Sequence, residues 1–131
     1  MKKLFIFGIF LLLFSCEPDI TSNKRETRIW VPDPSGIIGD GKVELYWFNN
    51  ILMNEVLLPY DWVEPDFFEI FMSTDKQSFN KLIELKNDKS YKYTVDNLTN
   101  GKEYYFYVTS KKSGYKTLIS DTIMVIPEKV N

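Results

Sequence analysis

From Arg28 onward the hydrophobic signal is of period two, carried by short runs, and no stretch holds a 3.6-residue period over three turns. A period of two belongs to the pleated strand, whose successive side chains point to opposite faces. The clearest run sets Val43, Leu45 and Trp47 against Glu44, Tyr46 and Phe48. In the next, Phe68, Ile70 and Met72 alternate with Phe67, Glu69 and Phe71. Further strands are predicted over 79–85, 90–95, 103–111 and 117–126. A first strand is predicted over 29–32, ended by Pro32 and Pro34, with Gly36, Gly39 and Gly41 marking the turn after it. Seven short strands separated by turn signals predict an all-β, antiparallel sandwich of two sheets.

The N-terminal end has a different pattern. Met1-Lys2-Lys3 gives a positive start, and residues 4–14 are an unbroken apolar run ending at Ser15-Cys16. Crossing the hydrocarbon layer takes roughly 20 residues, so this run is too short for a permanent span and fits the apolar core of an export signal. Leu13-Phe14-Ser15-Cys16 resembles the lipobox of bacterial lipoproteins, with an apolar residue three before the thiol and a small one just before it. That resemblance implies that residues 1–15 are a cleaved lipoprotein signal peptide and that Cys16 is the acylated first residue. Acyl chains contribute about 0.8 kcal/mol per buried CH₂, and more than one chain anchors stably. Residues 16–27 then read as the lipidated Cys and a polar, aperiodic tether that reaches on the order of 36 Å when fully extended. The acidic Glu17 and Asp19 resemble outward-sorting signals of some Gram-negative lipoproteins.

The mature chain would hold 116 residues, enough for one core and too few for two. The full chain, with 44% apolar residues and 21 aromatics (10 Phe, 8 Tyr and 3 Trp), has the surface needed to offset ordering entropy. The formal charge of −2 falls to −4 when Lys2 and Lys3 leave with the signal, so no counterion release drives nucleic-acid binding. There is no His and one Cys, which excludes a His-based triad, a His- or Cys-rich zinc site and an internal disulfide. No cofactor is expected.

Residues 93–108, Tyr-Thr-Val-Asp-Asn-Leu-Thr-Asn-Gly-Lys-Glu-Tyr-Tyr-Phe-Tyr-Val, resemble the E to F region of fibronectin type III domains. The resemblance implies that Tyr93 and Val95 face the core, Leu98 plugs its end, Gly101 makes the turn and Tyr104 is the corner tyrosine, whose hydroxyl returns to a backbone group upstream. Trp47 matches the core tryptophan of strand B, and the run from Phe68 to Asp75 matches strand C with Ile70 inside. The expected domain is thus an immunoglobulin-like sandwich over 28–127, followed by a tail at 128–131. Asn100 stands where proline is common in the family, and the connection from Asn49 to Asp66 is long for a B to C loop.

Three groups of residues carry candidate chemistry. By strand parity Phe67, Phe71, Tyr105 and Tyr107 point outward, and the resemblance makes their strands neighbours. Such a surface either docks a sugar or protein or stabilises the sheet by cross-strand pairing. The long connection, with Tyr60 and Trp62, is either a recognition loop or a flap packed on the sandwich. Glu55, Asp61, Glu64 and Asp66 cluster near Trp62, and paired carboxylates beside aromatics can cleave glycosidic bonds across a cleft. In a domain this small, however, loop acids are expected to be solvated, and no catalytic residue is assigned. Asp121-Thr122-Ile123 resembles a short O-glycosylation signal of some bacterial exported proteins. The expectation is a non-catalytic module of the cell envelope, held by its lipid on the outer membrane of a Gram-negative bacterium. It would recognise an envelope protein or polysaccharide and no nucleic acid. The alternatives are a passive spacer or subunit of a larger assembly and, behind it, a glycan-active enzyme.

Overall fold

A computed structural model describes residues 26–49 and 60–131. The expected leader, Cys16, most of the expected tether and residues 50–59, with Glu55, lie outside the described residues. Among the described residues ten strands follow in order: β1 (Glu26–Ile29), β2 (Pro32–Gly39), β3 (Lys42–Asn49), β4 (Tyr60–Val63), β5 (Phe67–Ser73), β6 (Asn80–Lys86), β7 (Lys92–Val95), β8 (Tyr104–Lys111), β9 (Leu118–Ile119) and β10 (Ile123–Val125). One sheet has the order β2-β3-β7. The other runs β10-β8-β5-β6, with β9 also paired to β8. All pairs within both sheets are antiparallel.

The two inner faces meet where period-two runs coincide. β3 contributes Val43, Leu45 and Trp47, β5 contributes Phe68 and Ile70, and β8 contributes Tyr104, Phe106 and Val108, all buried. Leu98 and Tyr93 are partly buried against this cluster, and Tyr93 lies opposite Leu45 across the β3–β7 ladder. Each of β3, β5 and β8 has a neighbour on both sides, so its inward residues are covered by sheet and by the opposing layer.

The strand expected over 29–32 is replaced by β2, which begins at Pro32 and runs through Pro34 and Gly36. Prolines break strands because they cannot donate to a ladder, but β2 is an edge strand with β3 as its one partner. Two residues apart, Pro32 and Pro34 lose their donors on the same edge, and an edge strand has one edge to spare. Gly36 lets the layers approach: a Cβ there would stand 3.0 Å from both Val125 Cγ1 and Val43 Cγ2.

The segment expected as one strand over 117–126 is broken into β9 and β10. Ser120 takes over at the break, its N–H donating to the Val108 carbonyl (2.9 Å) while its Oγ accepts the Val108 N–H (2.8 Å). A side chain thus supplies the ladder bond that a continuous strand would make with its backbone.

The lower end of the sandwich is tied by short connections. Asn100 Oδ1 accepts the Gly41 N–H at 2.8 Å and its Nδ2 donates to Asp40 Oδ1 at 2.7 Å, bonds that a proline there would forgo. Tyr104 is buried, and its hydroxyl oxygen accepts the Thr99 N–H at 2.8 Å. That donated hydrogen bond holds its phenol below the usual tyrosine pKa. Tyr104→Phe leaves this N–H without its partner while keeping the ring. A loss of about 1–2 kcal/mol is expected, read in urea unfolding as a lower midpoint with an unchanged slope.

The upper end departs most from expectation. Glu26 and Thr27, expected in the tether, join β1, and part of the expected loop forms β4. The two run parallel, with Arg28 opposite Trp62. Trp30, just after β1, seals this end of the core: its ring lies 5.3 Å from Phe68 and 5.5 Å from Tyr91, and the Ser110 hydroxyl donates to its carbonyl at 2.8 Å. The sequence reading placed Trp30 in the strand expected over 29–32 without assigning it to the core, whereas it lies between β1 and β2.

Candidate functional site

On the outer face of the β10-β8-β5-β6 sheet, Phe71 lies opposite Tyr107. Their rings stack at 4.7 Å and 15°, and Phe79, absent from the expected group, adds a contact to Tyr107 at 4.9 Å. Tyr105 is two residues along, its hydroxyl donating to Glu103 at 2.7 Å and its ring lying 5.9 Å from the Lys76 ammonium. Phe67 does not join them. It lies opposite Lys111, and between it and Phe71 stands Glu69, which is 8% exposed. Glu69 accepts the Thr109 hydroxyl at 3.0 Å and pairs with Lys81 at 3.4 Å and Lys111 at 3.8 Å. A carboxylate this covered needs such partners, and they cut the apolar surface in two. Burial first, then Glu69, raises the pKa of Tyr107. Because Phe71 and Tyr107 spend ring faces on each other, the arrangement has the geometry of cross-strand stabilisation.

The acidic residues of the long connection are engaged in holding the upper end together. Glu64 accepts the Tyr91 hydroxyl and the Asn87 side-chain N–H, and burial together with Glu64 pushes the Tyr91 phenol up to about 12. Asp66 takes the Lys112 ammonium at 3.0 Å, and its backbone links β8 and the connection after β6: Asp66 N–H donates to the Lys111 carbonyl and Asn87 N–H to the Asp66 carbonyl, both at 2.9 Å. Asp61 is exposed on β4 and engaged by other groups. Among the described residues, no three His, Cys, Asp or Glu side chains gather as a metal site.

At this same end a groove of about 520 Å³ opens between the β1–β4 pair and the connection from β8 to β9. Trp62 and Arg28 line it from the strand pair, and Tyr115 and Lys116 line it from the connection. Tyr115 is presented by a turn in which its N–H donates to the Lys112 carbonyl at 3.1 Å. Gly114 makes that turn at φ +83°, a conformation that costs glycine little. The lining therefore combines two amphipathic rings from separate elements with two cations, in a chain of net charge −2. Trp62, a predicted site residue, borders the groove and also packs partly against the core. Tyr60 belongs to β4, its side chain outside the described residues. Arg28, Tyr115 and Lys116 were missed by sequence reasoning. For Tyr115 the signal that could have found it was the glycine before it in a connection, which marks a turn.

No protein-family model and no curated protein matches the chain. Solved structures do. The sixth fibronectin type III domain of human fibronectin type III domain containing protein 3 superposes with a TM-score of 0.58 at 9% identity, over 82% of this chain and 90% of that one. A β-1,2-glucanase from Parabacteroides distasonis gives 0.59 at 13% identity, with 78% of this chain covering 13% of the enzyme. Pectate lyase PelI from Erwinia chrysanthemi, solved with tetragalacturonic acid, gives 0.57 at 10% identity, over 72% of this chain and 28% of the lyase. At these identities the likeness is one of fold: the chain is an all-β sandwich of the fibronectin type III type.

Proposed function

We propose that this sandwich is a non-catalytic, membrane-anchored binding or accessory module of the bacterial cell envelope, which recognises a glycan or a protein through its upper end. The observation that carries the reading is the groove, which Trp62 and Tyr115 both line, on a scaffold whose neighbouring acids, Glu64 and Asp66, are committed to structural bonds. Glycoside cleavage asks for two carboxyls about 5 to 9.5 Å apart across a cleft, and carboxylates tied to Tyr91, Asn87 and Lys112 are poorly placed to serve. That sandwiches of this shape form minor parts of a glucanase and a pectate lyase supports a saccharide as the ligand. The anchor rests on the leader and on Cys16.

Two measurements test the proposal. Expressed with its leader in a Gram-negative host, the full chain should incorporate labelled palmitate and fractionate with membranes. Cys16→Ser should abolish the label and release the chain; a variant that stays labelled and membrane-bound removes the anchor. The detergent-solubilised chain should bind a component of an envelope polysaccharide and protein panel without altering it, and turnover of any glycan would replace the non-catalytic reading.

A further inference from the structure

We infer that Thr122 is an O-glycosylation site, an acceptor hydroxyl that the fold holds out at the edge of the β10-β8-β5-β6 sheet. The inference goes beyond the binding reading and makes no use of the groove; it needs only the export that the leader implies. Asp121-Thr122-Ile123 is the sole place in the chain where Ser or Thr follows Asp. The structure gives each of its three residues a separate role.

Thr122 stands in the break between β9 and β10, and both ends of that break are pinned. On one side Ser120 holds the chain to β8 through its two bonds to Val108. On the other, Ile123 lies opposite Phe106 and packs against the core, and Val125 is buried. With Ile123 and Val125 turned inward, Asp121 and Thr122 are left exposed. β10 ends its sheet, and among the described residues no strand pairs with its outer side or with that of β9. A transferase therefore reaches the segment from an open edge, as modifying and binding partners generally reach a surface connection on a rigid scaffold.

The hydroxyl itself is uncommitted. Among the described residues none hydrogen-bonds Thr122 Oγ1, whereas the buried hydroxyls of Ser73, Thr109, Ser110 and Ser120 each hold a structural bond. Asp121 adds an exposed carboxylate beside it, a charge that a cationic group of the enzyme can read. The neighbourhood also gains from a sugar. Ile119 and Met124 are 64% and 51% exposed, and their pairing with Thr109 and Tyr105 sets them on the outer face. A glycan on Thr122, which lies between them in sequence, covers apolar surface that water otherwise meets. In the transfer, Oγ1 attacks the anomeric carbon of a glycosyl pyrophosphate donor. The new C–Oγ1 bond forms as the C–O bond to the pyrophosphate breaks. The pyrophosphate leaves with the electron pair, the hydroxyl proton passes to a carboxylate of the transferase, and nothing is oxidised or reduced.

The experiment expresses the full chain with its leader, in the presence of labelled palmitate, in a bacterium that O-glycosylates its exported proteins. It reads the mass of the tryptic peptide 117–129, which holds Thr117, Ser120 and Thr122. That peptide should carry added saccharide mass, and electron-transfer fragmentation should place the addition on Thr122. Thr122→Ala and Asp121→Asn should each lose the added mass while the unfolding midpoint of the unmodified chain stays in place, since both side chains are exposed. A palmitate-labelled chain whose peptide 117–129 carries no saccharide overturns the assignment and leaves the anchor standing. Saccharide on Thr117 or Ser120 in place of Thr122 overturns it as well, and so does an Asp121→Asn chain modified as wild type. A chain with neither palmitate nor saccharide overturns the assignment together with the anchored reading of the proposed function.

Discussion

Phe68→Ala is expected to cost about 3–5 kcal/mol, which for a domain holding about 5–15 kcal/mol in all leaves little or no margin. Phe68 is 1% exposed and touches three rings at once, with centroids 5.3 Å from Trp30, 5.3 Å from Trp47 and 6.1 Å from Tyr91. Trp30 arrives from the connection after β1, Trp47 from β3 and Tyr91 from the segment before β7. Removing the ring therefore opens a cavity where four pieces of chain meet, and rigid neighbours cannot collapse into it. At about 4–8 °C per kcal/mol for a domain near 100 residues, the melting temperature should fall by at least about 12 °C. Phe67→Ala is the control. Its ring is 39% exposed on the opposite face, and its loss should stay within about 1 kcal/mol. Equal losses at the two positions would mean that β5 does not hold the register described.

Gly36→Val should be the second large effect, from crowding instead of loss. A Cβ at this position already sits 3.0 Å from Val125 Cγ1 and Val43 Cγ2, so the two further methyls of valine must push β2 away from β10 and β3. Overpacking of this kind costs about 1–3 kcal/mol. The partner makes the test specific. Val125→Ala removes a largely buried side chain and should destabilise alone, yet it makes room for the introduced isopropyl group, so the double variant should lose less than the two single losses together. Strict additivity in chemical unfolding would show that the contact at Gly36 does not limit the approach of the layers.

The inner strands could be read from sequence because they obey one local rule with global support. In β3, Val43, Leu45 and Trp47 are spaced two apart and buried by the same opposing sheet, so period and burial agree. The corner at Tyr104 was readable through its resemblance, since its bond to Thr99 spans five residues. What failed depended on neighbours distant in the chain. Pro32 and Pro34 end a strand by local propensity, and their place in β2 follows from the empty edge beside it. β1 and β4 pair across more than thirty positions of sequence, with no alternation strong enough to announce either. Strand parity put Phe67, Glu69 and Phe71 on one face, as the register has them, but it carries no word of the partners that hold Glu69 there, Lys81 and Lys111 from two other strands. The groove was hidden for the same reason: Trp62 and Tyr115 stand far apart in sequence and come to line it together only through the fold.

The strands at the rims of the two sheets bear on how copies of this protein would behave when crowded. A long, flat, unpaired rim invites another molecule to extend the ladder, the first step of fibril growth. Here Pro32 and Pro34 remove donors from one such border, and the opposite layer ends in β9 and β10, two and three residues long and interrupted at Ser120. β6 is longer, but it presents Lys81, Glu84 and Lys86 to water. Dense packing on a surface would therefore raise local concentration without offering one molecule a template on the next, and the chain should stay monodisperse where a smooth-rimmed sandwich would aggregate.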